Sequence, residues 1–554
     1  MAHTIALSLS DALLLDVACA LVVHKFYNKY EVEPVNLLAT LLLLIGIPSL
    51  PCYYLLGQFD SGFLAGLLSY SVFYVTLASS VILYRISPIH PLAKYPGPWY
   101  LKTSKLFAMF HASNGKQYVF FKELHDKYGS FVRVGPNEVS VADVEAIPPI
   151  LGLDGMRRGP LWIAQCKPGT TPNIGSLRSV DLHDERRKLW NRGFTTAALK
   201  ELQIAVEERV LELVEELSKR VSPRSEKKES SLDLAHWLSS FAYDIMGDMV
   251  FGGGFSLMRQ GDENEVRSVF NDYMKVIGII EHISWIVGLL HKSAAVPEKQ
   301  RRFQEFVAQR YEMRKNQDAT KRDLFHYITN EDEMEVSRDQ GINDVLVAIG
   351  AGADTTSTAL GGLFFYLLSN PSVFYRLRKE LDSEFPIGEG EPFDAVKLAS
   401  LPYLNAVINE TLRLQPAVPT SLQRCPLEGS GGKMVAGRFV PESTALYVPP
   451  YILHRDSRYF SPFPDSFIPD RWLDVNGEKF TTNTAAYIPF STGPANCVGK
   501  NLALLEMRMA VATIVQRFDM KFASGYDPCK WEEDLQDFYI YRIGKLPIVL
   551  YARE

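Results

Sequence analysis

Cysteine is scarce in this chain and never paired in sequence: Cys19, Cys52, Cys166, Cys425, Cys497 and Cys529 are scattered over 554 residues, with no C-x-x-C and no regular spacing. That excludes a disulfide framework or a cysteine-built zinc site and favours a reducing, cytosol-facing compartment. A basic excess is also missing. The formal charge of −6 removes the electrostatic ground for nucleic-acid binding. After about residue 100 there is no Gly/Ser- or Pro-rich linker, no internal repeat and no flavin or NADPH-binding fingerprint. What remains is one large body, and its 47% hydrophobic content is enough for a substantial core.

The N-terminus lacks charge in blocks. Val35 to Gly57 and about Ser61 to Tyr84 each have the length and apolarity of a bilayer-spanning helix. A third stretch, Ala12 to Val23, is barely long enough and is flanked or interrupted by Asp11 and Asp16. Spanning, lying in the interface and packing inside the protein all stay open for it. No basic n-region precedes these blocks, which argues against a cleaved signal peptide. Lys25, Lys29, Arg85 and Lys94 place the body on the cytosolic side of an endoplasmic-reticulum-type membrane, with the link around Asp60 facing the lumen. Pro91, Pro96 and Pro98 then stiffen a segment that cannot continue a helix. The expected organisation is an anchor over 1–90 with two or three spans, a hinge over 91–99 and the main domain over 100–554.

Helical periodicity dominates that domain, in KQYVFFKELHDKYG, LKELQIAVEERVLELVEELSKRV and SLDLAHWLSSFAYDIMGDMVFG. SFVRVGPNEVSVAD and MVAGRFVPESTALYVPP alternate instead, as hairpins or edge strands do. The predicted class is mainly α with a minor β region. The charged run Ser222 to Ser231 reads as a solvated loop.

Chemistry concentrates in three places. In PFSTGPANCVGKNLALLEMRMA, a loop with Gly493 and Gly499 leads to Cys497 at the start of an amphipathic helix. Backbone N–H groups and the helix dipole favour a thiolate there, and the glycines let the backbone turn and approach a flat group. Glu410 and Arg413 share a helix face at i,i+3 spacing, and Arg471 follows in FIPDRWL. In DVLVAIGAGADTTSTALGGLFFYLLSN, Gly350 and Gly352 weaken an apolar helix just where Asp354, Thr355 and Thr356 add an acid and hydroxyls.

The spacing F-x-x-G-x-x-x-C-x-G over Phe490, Gly493, Cys497 and Gly499 resembles the haem-ligand loop of the cytochrome P-450 family. LHDERRKLWNRGF, the Glu410–Arg413 helix with FIPDRWL, and the Ala351-Gly352-Ala353-Asp354-Thr355 stretch resemble three further family segments, in family order from about Pro96 onward. The resemblance implies a P-450 fold behind transmembrane helices, and haem b between the Thr355 and Cys497 helices with Cys497 as axial thiolate. It further implies a local kink near Thr355, where Thr355 and Asp354 deliver protons to the dioxygen being reduced. Glu410, Arg413 and Arg471 would form a buried structural cluster. The family's basic residue two positions before the cysteine is Ala495 here. The propionate contact therefore falls to His183, Arg187 and Arg424. Trp162, Ile163, Ala351, Val418 and Leu422 would line the substrate pocket.

The implied activity is insertion of one oxygen atom into a lipophilic molecule, a terpenoid or other secondary metabolite, with electrons from NADPH through a separate cytochrome P-450 reductase. A haem-thiolate isomerase or dehydratase, and a non-catalytic membrane haem protein, are the alternatives. The several N-terminal spans and the F-S-x-G-P-x-N-C-x-G-K loop resemble filamentous-fungal, especially basidiomycete, members.

Overall fold

The computed structural model describes residues 7–29, 37–165, 171–223, 230–263, 265–286, 298–317, 322–329, 336–474 and 476–553. Cys166, the first two residues of the Val35 stretch and most of the charged loop before Ser231 lie outside the described residues.

Three apolar helices open the chain. α1 (Leu9–Lys29) is followed by α2, in which Leu37–Leu41 runs through a π turn at Leu42–Gly46 into Ile47–Leu55, and then by α3 (Gly62–Ile86). Pro48 and Pro51 remove backbone donors inside α2, an economical place for the helix to deviate from regular α geometry. Leu38–Leu55 and Gly62–Ile86 have mean hydropathies of 1.8 and 1.7 and are long enough to cross a membrane. Many of their large side chains, among them Leu38, Leu50, Phe63 and Val75, are exposed. The third stretch is a continuous helix of 21 residues. Gln58 donates to the Leu7 carbonyl at 2.6 Å, and the His24 and Tyr84 rings lie 5.7 Å apart, so α1 runs parallel to α3 from end to end. α2 runs antiparallel beside them, with the Tyr74 hydroxyl donating to the Leu44 carbonyl at 2.7 Å. Asp16 is fully buried between the helices and accepts a hydrogen bond from Ser69 at 2.9 Å.

The body is mainly helical with small sheets. Five helices position the site: α4 (Val180–Gly193), α5 (Thr196–Ser218), α6 (Leu234–Phe251), α7 (Val266–Ile280) and α8 (Arg338–Ser369). α9 (Pro402–Leu414) and α10 (Lys500–Arg517) follow. α8 is the central rod, and its Leu360, Leu363, Phe364 and Leu367 show the i, i+3, i+4, i+7 spacing of a buried stripe. It is unbroken across Ala351–Thr355, so the expected kink is not a break in the helix. Its glycines allow close packing. A Cβ on Gly352 would stand 2.4 Å from the Met246 sulfur of α6, and one on Gly350 would stand 2.9 Å from the Phe270 ring of α7.

One sheet has five strands, β1 (Phe131–Gly135), β2 (Glu138–Val141), β3 (Arg157–Arg158), β4 (Gln423–Cys425) and β5 (Ala445–Tyr447), in the order β1-β2-β5-β4-β3. SFVRVGPNEVSVAD is the expected hairpin, β1 antiparallel to β2. MVAGRFVPESTALYVPP divides: Gly432–Val435 pairs with Arg438–Pro441 as a hairpin, but β5 is an interior strand parallel to β2 and not an edge. The C-terminal strand Pro547–Ala552 lies between Phe518–Phe522 and Ser231–Asp233.

Candidate active site

A cavity of about 760 Å³ opens between α8 and the loop that leads into α10. Ala351, Gly352, Thr355 and Thr356 of α8 line it together with Phe490, Ala495, Cys497 and Gly499 of the loop. A volume of this size suits a cofactor and a small molecule, not a macromolecule.

Cys497 lies just before α10, whose N-cap is Gly499. The Cys497 N–H donates to the Phe490 carbonyl at 2.9 Å, closing the loop. Its sulfur faces the cavity but is otherwise enclosed, and burial pushes the free thiol's pKa up. The N–H groups of Gly499 and Lys500 and the charges of Arg187 and Lys500 pull the other way. The N–H groups at the helix end act in the direction expected of them, and burial outweighs them in the free thiol. Donors aimed at sulfur together with an unfavourable free-thiol environment suit an anion whose charge a metal ion neutralises.

The two loop glycines differ. Gly493 has φ +73°, and a Cβ there would meet the Leu151 carbonyl oxygen at 2.0 Å. Its requirement is a turn against neighbouring backbone. Gly499 has an ordinary negative φ and 3.7 Å of room to the Phe194 ring, so it meets the cavity without a conformational demand.

The basic residues separate into two groups. Arg187 does not line the cavity: its guanidinium donates to the Asn496 carbonyl at 2.6 Å, to Asn496 Oδ1 at 2.7 Å and to Asn191 Oδ1 at 2.8 Å. Its donors clamp the residue before Cys497. Arg424 does line the cavity, and so does Arg158, which sequence reasoning missed. β3 and β4 pair antiparallel with Arg158 opposite Arg424, and the two guanidinium carbons lie 5.2 and 6.0 Å from the Trp162 ring. Like charges facing each other across a strand pair are destabilising. Burial pushes the Arg424 pKa down to about 10, while burial and then Arg424 push Arg158 down to about 9. Neither arginine has a carboxylate ion pair among the described residues. Arg158 Nε is buried without a hydrogen-bond partner, as is His183 Nε2, whose ring also feels Arg158. Burial, then Arg158, lower the His183 pKa to about 4, so it is neutral at physiological pH. Two unmatched arginines, one with an orphaned buried Nε–H, fit the propionates of a haem, whereas neutral His183 lies outside the cavity lining and, with Nδ1–H turned to Asp184 Oδ1, leaves Nε2 as an acceptor.

Thr355 faces the cavity, and its hydroxyl donates to the Ala351 carbonyl at 2.6 Å. Asp354 is not a lining residue; its Oδ1 accepts a hydrogen bond from the Tyr243 hydroxyl of α6 at 2.7 Å. Trp162, Ala351, Val418 and Leu422 line the cavity as expected, whereas Ile163 does not. In the two-turn 3-10 helix Pro160–Gln165 it is Trp162, Ala164 and Gln165 that reach the cavity, and that periodicity cannot be read from sequence.

Beneath the site, Glu410 accepts from Arg413 Nε and Nη2, both at 2.8 Å, and from Arg471 Nε at 3.0 Å. Arg413 also donates to the His454 carbonyl at 2.7 Å. All three side chains are completely buried. The sequence did not reveal a fourth member, Trp472, whose indole N–H donates to Glu410 Oε2 at 2.9 Å.

A sequence profile described as cytochrome P-450 matches residues 96–541. Among curated proteins the chain is 34% identical to "cytochrome P-450 67" of Uromyces fabae over 490 residues, 84% of this chain and 87% of that protein. It is 30% identical to "cytochrome P-450 monooxygenase FCK2" of Fusarium pseudograminearum, over 86% of this chain and 85% of that protein. It is also 30% identical to "tryprostatin B 6-hydroxylase" of Aspergillus fumigatus, over 87% and 84% respectively.

Proposed function

This chain belongs to the cytochrome P-450 family of monooxygenases, and from that membership we propose that it transfers one oxygen atom from dioxygen to a lipophilic secondary metabolite. Electrons come from NADPH through a separate reductase. The observation that supports this reading most is the mainly apolar cavity that Cys497 and Thr355 both line. Hydroxylation is also the reaction named for the Aspergillus relative.

Family membership implies haem, which when bound supplies dioxygen activation. Cys497 would hold the iron, with Phe490 and Gly499 against the ring and Gly493 setting the loop. Arg158 and Arg424 would take the propionates, and Arg187 would hold the loop through Asn496. Replacing Arg158 or Arg424 with Ala should each weaken haem retention roughly 10- to 100-fold, as expected for a lost hydrogen bond to a charged group. Haem loss to an acceptor protein measures it. Unchanged retention in both variants would contradict the assignment.

Thr355 Oγ1 would hold a proton and the water that carries it, with Asp354 as the acid behind it. Val418, Leu422 and Trp162 orient the substrate and exclude bulk water. The chain should be expressed with a reductase in a microsomal host, fed lipophilic extracts under heavy-isotope dioxygen, and its products searched for a gain of one labelled oxygen. Thr355→Ala should reduce product per NADPH by up to about 10²-fold, with peroxide released instead. A product without label, or coupling unchanged in the variant, speaks against the proposal.

The proposed anchor has three spans, because α1 lies beside α3 along its whole length. Three spans put residues ahead of Leu9 in the lumen of the endoplasmic reticulum and the domain over 100–554 in the cytosol, joined by the hinge over 91–99. An N-glycosylation acceptor introduced ahead of Leu9 should be modified, and an unmodified one would contradict the third span.

A further inference from the structure

Asp354 precedes Thr355 on α8, yet its carboxylate turns to a different neighbour. Oδ1 accepts from the Tyr243 hydroxyl at 2.7 Å, and Tyr243 is completely buried. The approach depends on close packing of α6 against α8, because Met246 lies one turn beyond Tyr243 on α6 and occupies the place a Cβ on Gly352 would take. On the other side the Phe270 ring of α7 stands 5.9 Å from the Tyr243 ring. Phe270 in turn occupies the place a Cβ on Gly350 would take. The two glycines before Asp354 thus admit the residues that seat Tyr243.

Asp354 makes no ion pair among the described residues, and the one polar group bearing on it is the Tyr243 hydroxyl. Tyr243 is faced by Asp262 and by Arg267, whose Nη1 lies 3.0 Å from His236 Nδ1. We propose that Tyr243 is the positioning residue for Asp354: its hydroxyl fixes Oδ1 on the α6 side of α8 and leaves Oδ2 to exchange protons toward Thr355. The inference rests on the reading of Asp354 and Thr355 as the proton-delivery pair. Burial raises the Asp354 pKa to about 6, and the tyrosine hydrogen bond opposes that rise. The donor favours the ionised acid, so its loss should move the titration of Asp354 to higher pH.

The test uses full-length holoprotein in membranes with its reductase, as wild type, Tyr243→Phe, Asp354→Asn and the double variant. Carboxyl infrared spectra as a function of pH identify the Asp354 band by its loss in Asp354→Asn. In Tyr243→Phe that band should shift in frequency and titrate at higher pH. The fraction of NADPH electrons lost as peroxide should rise severalfold in Tyr243→Phe, with its pH profile displaced the same way. The double variant should match Asp354→Asn alone. An unmoved Asp354 band, or an equal rise in peroxide when Asp354 is already Asn, overturns the proposal. Unchanged coupling in Thr355→Ala would refute the proton-delivery pair instead, and the infrared result would still decide whether Tyr243 positions the acid. Should Tyr243→Phe fail to fold, fluorotyrosine at position 243 keeps the shape and strengthens the donor, and the titration should then move to lower pH.

Discussion

Glu410→Ala is expected to prevent the domain from folding stably. In the native protein one carboxylate takes hydrogen bonds from Arg413, Arg471, the Trp472 indole and the Ile468 backbone N–H. The two guanidinium groups are also spent on carbonyls of the segment that follows α9, including those of His454 and Phe463. Removing the carboxylate strands two buried cations with one counter-charge gone. Breaking a buried pair in this way costs about 3–5 kcal/mol. Against a total stability of about 5–15 kcal/mol, that is a large fraction. Glu410→Gln should fail in the same direction, since it keeps the shape but cannot carry the charge. Thermal melts and the yield of soluble protein provide the measurement. A wild-type melting temperature in Glu410→Ala would show that the cluster does not hold this region together.

The same cluster shows how far the sequence carries. Glu410 and Arg413 are one helical turn apart, so their meeting follows from α9 alone. Trp472 joins from a one-turn helix 62 residues away, and no local pattern announces it. Cys497 was legible for a related reason: Phe490, Gly493 and Cys497 form one short loop, closed on itself by a backbone hydrogen bond. Arg158 was not, because its role comes from a two-residue strand paired with Arg424 across most of the domain. Ser231–Asp233 likewise becomes a strand only by pairing with the C-terminal strand. The glycines of α8 weaken the helix on local grounds, while the residues they admit, Met246 and Phe270, belong to two other helices and are not announced by them. Arg187 was placed by motif register, whereas the actual partner of its side chain, Asn496, depends on how α4 docks against the ligand loop. Periodicity and local loops are written in neighbouring residues; long-range strand register and helix docking are not.

Of all single changes, Cys497→Ser is expected to have the most complete effect. The remaining described cysteines are poorly placed to substitute. Cys425 is buried with its sulfur 3.5 Å from the Arg158 carbonyl, Cys529 is exposed at the surface, and Cys19 and Cys52 belong to α1 and α2. Cys497 alone among them lines the cavity, with the Gly499 and Lys500 N–H groups directed at its sulfur. Serine would keep the volume and the loop hydrogen bond to Phe490. On the proposed reading it would lose the soft anionic ligand that would hold the iron.

The most direct test is the absorption spectrum of the reduced, CO-bound holoprotein. Wild type, Cys425→Ser and Cys529→Ser should each give the strongly red-shifted Soret band of thiolate ligation, and Cys497→Ser should give none of it. A normal red-shifted band in Cys497→Ser would contradict Cys497 as the iron ligand, and with it the account of this site.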